Sequence, residues 1–326
     1  MDFYGAEVLI TGGAGFIGST LAGRLVDMGA RVTLADSLIP EYGGNLANLA
    51  GFRDRVDLNI TDVRDPHAVR YLVQGKDFLF NLAGQTSHMD SMADPFTDLE
   101  INVKAQLSIL EACRKHNSGV KLVFAGTRQI YGRPEYLPVD EEHPVRPVDV
   151  NGIHKAAGER YHLLYHAVYG VRSTVLRLTN TYGPRMRIKD ARQTFLGIWI
   201  RRLLEGEAFE VWGGGQLRDF TYVDDCVDAM LLAAAAPRAD GRVYNLGGDA
   251  VVGLRELADA LLAAAHGGGE YILKEFPSER KKIDIGDFYA NDARIREELG
   301  WEPKVSLKEG LTRTLEYFYS KSACYL

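Results

Sequence analysis

The chain has 326 residues, of which 46% are apolar and 25% are charged, as in a globular protein with one large domain or two modest ones. Its formal net charge of -6 argues against a nucleic-acid or membrane-surface partner. We find neither a signal peptide nor a long apolar stretch, and the three cysteines are too far apart for a framework of disulfides or a metal site. A cytoplasmic protein without a metal is therefore expected.

Strands and helices alternate through the first half of the chain. Residues 7–10 form a short apolar run typical of a buried strand; a helix with Ile17, Leu21 and Leu25 on one face follows, and a second strand begins at residue 32. We expect further strands near 56–60, 77–82, 120–125 and 172–178, and helices near 66–74, 97–115 and 151–169. This alternation predicts an α/β fold with a doubly wound parallel sheet that has helices on both faces.

The pattern changes after residue 178. A turn at 180–184 leads into a basic loop, a helix near 193–205, three consecutive glycines and an alanine-rich helix at 225–236. The remaining elements are shorter. We predict a first domain of residues 1–178, to which 219–247 return, and a smaller C-terminal α/β substrate lobe built from 179–218 and 248–326.

A glycine-rich turn between the first strand and the first helix indicates a dinucleotide site. In TGGAGFIGS (11–19), Gly12, Gly15 and Gly18 allow a tight turn, close approach of a pyrophosphate and close helix–strand packing, as in Rossmann-type domains. Asp36, which ends the next strand, can bind the ribose hydroxyls and would repel a 2′-phosphate, so NAD is favoured over NADP. The other expected cofactor contacts are Phe16, Ile17, Ser37, Asp62, Val63, Leu82, Ala83 and Gly84.

With these residues, a succession of motifs resembles the extended short-chain dehydrogenases/reductases that remodel nucleotide sugars. Besides the glycine-rich turn, the motifs are AGQTSHMDS (83–91), EINV (100–103), VFAGT (123–127), IYG (130–132), LRLTN (176–180), YGP (182–184), LRDFTYVDD (217–225) and LGW (299–301). The family includes UDP-glucose and UDP-glucuronate 4-epimerases, 4,6-dehydratases and UDP-glucuronate decarboxylases. The resemblance implies a Rossmann-type fold and an NAD-dependent enzyme.

The resemblance also implies a catalytic Tyr-x-x-x-Lys pair, but Asn151 occupies the place of the tyrosine. Lys155 and Thr127 match the other two members of the site, and the resemblance also implies that Lys155 is a cofactor contact. A carboxamide has no useful basic form near neutral pH. Three interpretations remain open: another base acts (His88, His154 or Lys155), the chemistry differs, or the protein binds ligands without turnover. We expect His154 to be structural, because it precedes Lys155 by one residue and points about 100° away around the helix.

The two residues after Thr127 separate the family's reactions. The dehydratases carry Asp-Glu at these positions and the decarboxylases usually have glutamate at the second, whereas this chain has Arg128 and Gln129. Neither side chain is a carboxylate, so epimerisation at C4 of a UDP-hexose or UDP-hexuronate is favoured over the alternatives, dehydration, decarboxylation and non-catalytic binding. Arg128 either holds an anionic or keto group of the sugar or forms a structural ion pair.

The resemblance implies further contacts with a nucleotide sugar and an interface between two copies of the chain. The expected substrate contacts are Gln85, Asn180, Gln193, Thr194, Arg218 and Arg280. Helices 97–115 and 151–169 are expected to form a homodimer interface. His162 and His166 have the i, i+4 spacing of a metal pair, but no third ligand is suggested nearby, so we interpret them as part of a partly exposed helix face.

Overall fold

The structure of the protein is a computed structural model that describes residues 2–190, 192, 194–266, 268–278 and 282–326. Its strands are β1 (Glu7–Thr11), β2 (Arg31–Asp36), β3 (Val56–Ile60), β4 (Phe78–Asn81), β5 (Lys121–Thr127), β6 (Arg172–Leu178), β7 (Asn180–Tyr182), β8 (Phe209–Trp212), β9 (Leu217–Tyr222), β10 (Val243–Asn245), β11 (Val251–Gly253) and β12 (Tyr271–Lys274). Its α-helices are α1 (Phe16–Asp27), α2 (Pro66–Leu72), α3 (His88–Ala93), α4 (Pro95–Leu99), α5 (Ala105–His116), α6 (Val150–Tyr169), α7 (Phe195–Leu204), α8 (Val223–Ala235), α9 (Leu254–Ala264), α10 (Ala293–Leu299) and α11 (Leu307–Lys321).

Seven strands form the central sheet in the order β10-β6-β5-β4-β1-β2-β3, and all of its pairs are parallel. One apolar cluster buries α1 and α8 against the sheet, and a second buries α2 and α5. Helices therefore cover both faces, which confirms the predicted fold class. The strand order reverses between β1 and β4, and open α/β sheets bind ligands at the carboxyl ends of the strands beside such a reversal.

Two small sheets, β11-β9-β7 and β12-β8, lie outside the central sheet. They share an apolar cluster with α7, α9 and α11. β10 pairs with β6 and so belongs to the central sheet. Leu299 and Trp301, near the C-terminal end of the chain, also pack in the cluster of α1 and α8. The predicted boundaries between the two lobes stay a prediction.

The helix expected at 97–115 is interrupted. Between α4 and α5, residues Glu100–Lys104 form a π-helical turn. The side chain of Gln106 donates to the carbonyl of Ile101 at 3.2 Å, and that of Asn102 donates to the carbonyl of Gln85 at 3.0 Å. These bonds hold the wide turn against the loop that follows β4. The apolar period that predicted the helix gave no signal of this turn, because the side chains that fasten it, Asn102 and Gln106, are polar.

The helix α6 begins where the sequence predicts, at a strong cap. The Asp149 side chain accepts from the backbone N–H of Gly152 at 2.6 Å, the geometry that favours aspartate before a first helical turn. The helix ends at Gly170, which adopts a left-handed conformation with φ +70°. Among the described residues, no helix is long and apolar enough to cross a membrane.

Candidate active site

A cleft opens at the carboxyl ends of the central strands and encloses about 1650 Å³, including the space at its open mouth. It brings together most of the residues singled out from the sequence. These lining residues are Gly12, Gly15, Phe16, Ile17, Gly18, Asp36, Ser37, Asp62, Val63, Leu82, Ala83, Gly84, His88, Thr127, Arg128, Asn151, Lys155, Asn180 and Thr194. Gln85 and Arg218 are not among the lining residues, and Gln193 and Arg280 lie outside the residues that the structure describes.

The glycine-rich turn has the geometry that a pyrophosphate requires. Gly12 has φ +69°, and a Cβ at Gly18 would overlap the carbonyl oxygen of Gly12. The helix α1 begins after Gly15, which has no side chain to cap it. The first amides of α1 therefore remain available to an anion at the positive end of the helix dipole.

Two carboxylates mark the β2–β3 side of the cleft. Asp36 accepts from the backbone N–H groups of Ala14 at 3.0 Å and Leu38 at 2.9 Å, and burial raises its pKa despite these bonds. Asp62 pairs with Arg64 at 2.5 Å, and this bond lowers the Asp62 pKa. These residues fit NAD. The free amides of α1 suit its pyrophosphate, and the Asp36 carboxylate lies at the end of β2, where the adenosine ribose binds in Rossmann-type domains.

Lys155 is buried in the middle of the cleft, where its ammonium group has few partners. Its side chain is near the carbonyl of Ala125, 3.4 Å from Nζ, and lies over the ring of Phe124. Burial lowers its pKa to about 8, and Asp98 opposes this shift. A Cβ at Gly84 would lie 2.8 Å from Nζ. The absence of a side chain at Gly84 therefore leaves room for the lysine beside the cofactor groove.

Asn151 is buried, and its side-chain amide is used in structural hydrogen bonds. Its Nδ2 donates to the carbonyl of Gln85 at 2.9 Å, to the Gln85 side chain at 3.2 Å and to Asp98 at 3.1 Å. Its backbone N–H donates to the hydroxyl of Ser91 at 3.2 Å. Asn151 thus fastens the start of α6 to the loop after β4 and to α3.

His88 lies beside a buried carboxylate at the same end of α6. Its Nδ1 is 3.0 Å from Oδ2 of Asp149, although the ring N–H is not well aligned with that oxygen. The Gln129 side chain donates to the same oxygen at 2.7 Å. Burial alone would raise the pKa of Asp149, but His88 and the hydrogen bonds from Gly152 and Gln129 outweigh burial and lower it.

Thr127 and Arg128 line the β5 side of the cleft. The Thr127 hydroxyl accepts from the backbone N–H of Gln129 at 3.2 Å. Arg128 donates from Nη2 to Asn180 at 2.9 Å, whereas its buried Nη1 has no partner among the described residues. Burial lowers the pKa of Arg128 to about 9, and the charge of Arg218 adds to the effect. The cleft thus contains a guanidinium group with an unused donor.

Two predicted substrate residues make structural bonds instead of facing the cleft. Arg218 donates to the carbonyls of Leu217 and Gly286, and its Nη2 lies 3.6 Å from Asp284. Gln85 is 2% exposed, and its side chain bridges Asn151 and the carbonyl of Ser87. Their predicted contacts with substrate stay predictions.

The other histidines on α6 are structural. His154 does not line the cleft, and its Nδ1 lies 2.7 Å from Asp98. The interpretation of His162 as part of a partly exposed face is wrong: it is fully buried, stacked on Phe124 and bonded to Ser173 at 2.8 Å, and burial lowers its pKa to about 3. Helical spacing alone did not distinguish the face that packs on the sheet from the neighbouring one.

Several residues near the site were missed from the sequence. Tyr42, Thr86 and Thr181 also line the cleft. Asp149 was missed as well, although a signal existed. Aspartate is a preferred N-cap residue, so an aspartate just before a predicted helix indicates a carboxylate at the helix start. Its contact with His88 had no signal, because 61 residues separate the two in the chain.

The chain is similar to known proteins over almost its whole length. The model of the NAD dependent epimerase/dehydratase family matches residues 8–247. The chain is 34% identical over 320 residues to a UDP-glucose 4-epimerase of Mycolicibacterium smegmatis, covering 97% of this chain and 99% of that one. It is 33% identical over 322 residues to a dTDP-glucose 4,6-dehydratase of Streptomyces griseus, covering 96% and 94%.

The fold agrees with solved structures over the same length. The UDP-glucose 4-epimerase of Thermotoga maritima, solved with UDP-glucose, superposes with a TM-score of 0.88 at 32% identity and covers 97% of this chain and 99% of that one. The family is NAD-dependent by its description, which confirms the expected cofactor. The resemblance inferred from the motifs is confirmed too: the chain belongs to the NAD-dependent epimerase/dehydratase family of enzymes.

Proposed function

We propose that the protein is an NAD-dependent nucleotide-sugar epimerase that acts at C4 of a UDP-hexose or UDP-hexuronate through a transient ketone. The observation that carries the proposal is the position of the carboxylates. Of the described residues lining the cleft, the acidic ones are Asp36 and Asp62. Asp36 is the last residue of β2, and Asp62 follows the end of β3. Thr127 ends β5, three strands from β2, a separation of about 14 Å.

Dehydration and decarboxylation are disfavoured by this arrangement. Elimination of water from a sugar requires an acid and a base beside the reacting carbons. At the positions next to Thr127 the cleft has Arg128 and Gln129, and the Gln129 amide is bonded to Asp149. Reversible oxidation of a hydroxyl and rotation of the ketone require no carboxylate pair. Identity does not separate the reactions, because an epimerase and a dehydratase are similar to the chain at 34% and 33%.

The cleft residues divide into a cofactor group and a sugar group. Bound NAD would supply the two-electron acceptor and donor for the reaction. Lys155 would hold the nicotinamide ribose, and the Thr127 hydroxyl would bond the reacting hydroxyl of the sugar. Arg128 would present its unused Nη1 to an oxygen of the substrate, which favours a hexuronate because a carboxylate pairs with a guanidinium through charge-assisted bonds.

The remaining sugar-nucleotide contacts are proposals of the same kind. Thr194 caps α7 by accepting from the N–H of Leu196 at 3.2 Å, and it lies in the cleft lining with Asn180. We assign both to the nucleotide sugar, together with Gln85, Gln193, Arg218 and Arg280. The equivalence of Asn151 with the family's tyrosine also stays a prediction, as does a cytoplasmic location.

A second candidate function is binding of NAD and a nucleotide sugar without turnover. It is favoured by Asn151, whose amide is bonded to Gln85 and Asp98 and has no basic form. The first function is preferred because the cleft also contains His88 beside the buried Asp149, an arrangement that can move a proton.

One experiment separates these functions. The purified protein is incubated with NAD and a panel of UDP- and dTDP-linked hexoses and hexuronates, and the products are analysed by mass spectrometry and NMR. An epimerase returns a product of unchanged mass with inverted C4, and we expect this result with the highest kcat/KM for a UDP-hexuronate. Loss of water or of carbon dioxide would contradict the proposal, and unchanged substrate throughout the panel would favour the binding function.

We also propose that the protein is a homodimer that pairs through the segment 97–115, which runs from α4 through the π-helical turn into α5, and through α6. Apolar side chains are exposed on this side of the molecule, including Ile153, Leu164 and Val168 of α6, which are 53%, 50% and 60% exposed. Their spacing places them along one side of the helix. A partner surface would remove them from water.

A further inference from the structure

We propose that His88, oriented by the buried carboxylate of Asp149, is the group that takes and returns the proton of the reacting sugar hydroxyl. This inference rests on the proposed epimerase function and supplies the base that Asn151 cannot be. His88 would be the catalytic residue, and Asp149 would be a positioning residue that acts through it.

The first support is that the position of the missing phenol is structurally occupied. All the recorded bonds of the Asn151 amide nitrogen go to Gln85 and Asp98, and Asn151 is 2% exposed. Turning this side chain toward the cleft would leave the buried Asp98 with one hydrogen-bonding partner fewer, which costs about 1–3 kcal/mol. Asn151 therefore acts as an anchor, and the proton must move through another group.

The second support is the environment of Asp149. Its carboxylate is fully buried and accepts from the backbone N–H of Gly152 and the side chain of Gln129. A buried carboxylate with these donors remains charged and attracts the N–H of the histidine beside it. Nδ1 of His88 lies 3.0 Å from this carboxylate, so a small rotation of the ring lets an Nδ1–H donate to it, and the carboxylate favours the proton on Nδ1. The neutral ring consequently keeps its lone pair on Nε2, the nitrogen available to a substrate.

The third support is the position of the pair relative to the rest of the site. Asp149 caps α6 two residues before Asn151, and Ser91 connects the two helices: its hydroxyl donates to the carbonyl of His88 at 2.7 Å and accepts from the N–H of Asn151 at 3.2 Å. Gln129 connects Asp149 to Thr127 through bonds of 2.7 Å and 3.2 Å. The imidazole thus lies beside the start of α6, and His88 and Thr127 line the same cleft.

Access to substrate distinguishes His88 from the other candidate bases. The His88 side chain is 39% exposed and lines the cleft, and among the described residues its Nε2 has no recorded partner. His154 is bonded to Asp98 and is outside the lining. Lys155 lines the cleft, but it is buried against Gly84 and Ala125 in the cofactor groove, where its charge serves the cofactor.

The proton transfer to His88 accompanies oxidation of the sugar carbon. The O–H bond of the sugar hydroxyl breaks, its proton moves to Nε2 of His88, and its electron pair forms the new C=O bond. The hydrogen of the adjacent C–H bond leaves with both electrons of that bond, as a hydride, and bound NAD, the oxidant of the proposed function, would accept it. Asp149 stabilises the imidazolium, and His88 returns the proton to the oxygen when the ketone is reduced on its other face.

The first test is removal of the imidazole and its chemical replacement. His88→Ala should lower kcat by about 100-fold or more, since general base catalysis contributes this much, while KM changes only a few-fold. Added imidazole should restore at least ten-fold of the lost rate. His67→Ala is the matched control, because His67 is an exposed histidine on α2, and it should behave as the wild type.

The second test measures the positioning role of Asp149 by NMR of the His88 ring and by kinetics. In the cofactor-free protein, ¹⁵N NMR of the His88 ring should report the proton on Nδ1 at high pH. Asp149→Asn should shift this tautomer toward Nε2–H and lower kcat more than it changes KM. Asparagine is also a good N-cap, so α6 should remain folded, as far-UV circular dichroism would verify.

The outcomes distinguish the two proposals. A wild-type protein that turns over no nucleotide sugar overturns the proposed function. A wild type that is active, with His88→Ala retaining its rate or losing it without rescue by imidazole, overturns the inference on His88 alone. A His88 ring protonated on Nε2 in the wild type would remove the role of Asp149.

Discussion

Lys155 shows at the scale of one residue that the site is arranged for ligand binding rather than for stability. The ammonium group is buried, and the nearest recorded acceptor is the carbonyl of Ala125 at 3.4 Å. Burial lowers its pKa from 10.5 to about 8. A pKa lowered this far means that burying the charged ammonium group near neutral pH lowers the free energy of unfolding of the cofactor-free protein by about 3 kcal/mol. A charged cofactor groove accounts for such a cost.

Replacement of Lys155 should therefore change the pH dependence of folding. The folded protein has the lower pKa, so between about pH 8 and 10.5 the unfolded chain binds more protons and the stability contributed by this position rises with pH. Lys155→Met should stabilise the cofactor-free protein by about 3 kcal/mol at pH 7 and by much less at pH 10. Urea denaturation at several pH values measures this difference.

The control for this prediction is Lys308→Met, an exposed lysine on α11, which should change the free energy of unfolding by less than about 0.5 kcal/mol. Parallel stability curves for the wild type and Lys155→Met across this pH range would contradict the prediction. The same variant should bind NAD more weakly, which fluorescence titration can measure separately.

Asn151 shows what sequence can and cannot establish about one residue. The motif around Lys155 predicts that Asn151 takes the place of the family's tyrosine, because the two positions are four residues apart on one helix. It does not reveal where the amide points, since its partners Gln85 and Asp98 are 66 and 53 residues away. A residue that looked like a lost function in the sequence is a buried hydrogen-bond donor in the structure.

At the scale of elements, the start of α1 depends on how closely two backbone segments approach. A Cβ at Gly18 would overlap the carbonyl of Gly12, which lies in the turn before the helix. Further along the same helix, a Cβ at Gly23 would make an ordinary contact of 3.4 Å with the ring of Phe52. The two glycines thus share a helix but differ in whether a side chain fits.

These glycines provide a matched pair of variants. Gly18→Ala should displace the turn, weaken NAD binding at least ten-fold and lower the free energy of unfolding by about 1–3 kcal/mol, the usual cost of overpacking. Gly23→Ala should bind NAD as the wild type does and gain up to about 1 kcal/mol, because alanine favours helix over glycine. Isothermal titration with NAD and chemical denaturation test both, and equal NAD affinities would contradict the role of Gly18.

The elements also explain why the cofactor half of the cleft was predicted better than the sugar half. The glycine-rich turn, α1 and Asp36 are contiguous in the chain and have fixed geometry in βαβ units, so their positions follow from the pattern. The sugar half combines the loop after β4, the start of α6 and the segment after β6. Nothing in the periodicity of these segments specifies that Asp149 meets His88, or that Arg218 turns toward Asp284.

At the scale of the whole molecule, one side retains an apolar surface that the fold does not cover. We call it the α4–α6 face and define it by exposed side chains of these two helices, Phe96, Leu99, Ile153, Leu164 and Val168. Phe96 is 76% exposed. Isolated apolar side chains are common on protein surfaces, but several of them on two helices that contact each other suit an interface.

The α4–α6 face should be the contact between two copies of the chain. We expect the wild type to sediment as a dimer and the double variant Leu164→Asp, Val168→Asp to sediment as a monomer, because a carboxylate buried without a partner costs several kcal/mol. Far-UV circular dichroism should not change, since both side chains are exposed in one copy. Ile272→Asp, at a residue of β12 that is 48% exposed, is the control and should remain dimeric. A monomeric wild type, or a double variant that still dimerises, would show that another surface or no surface pairs the chains.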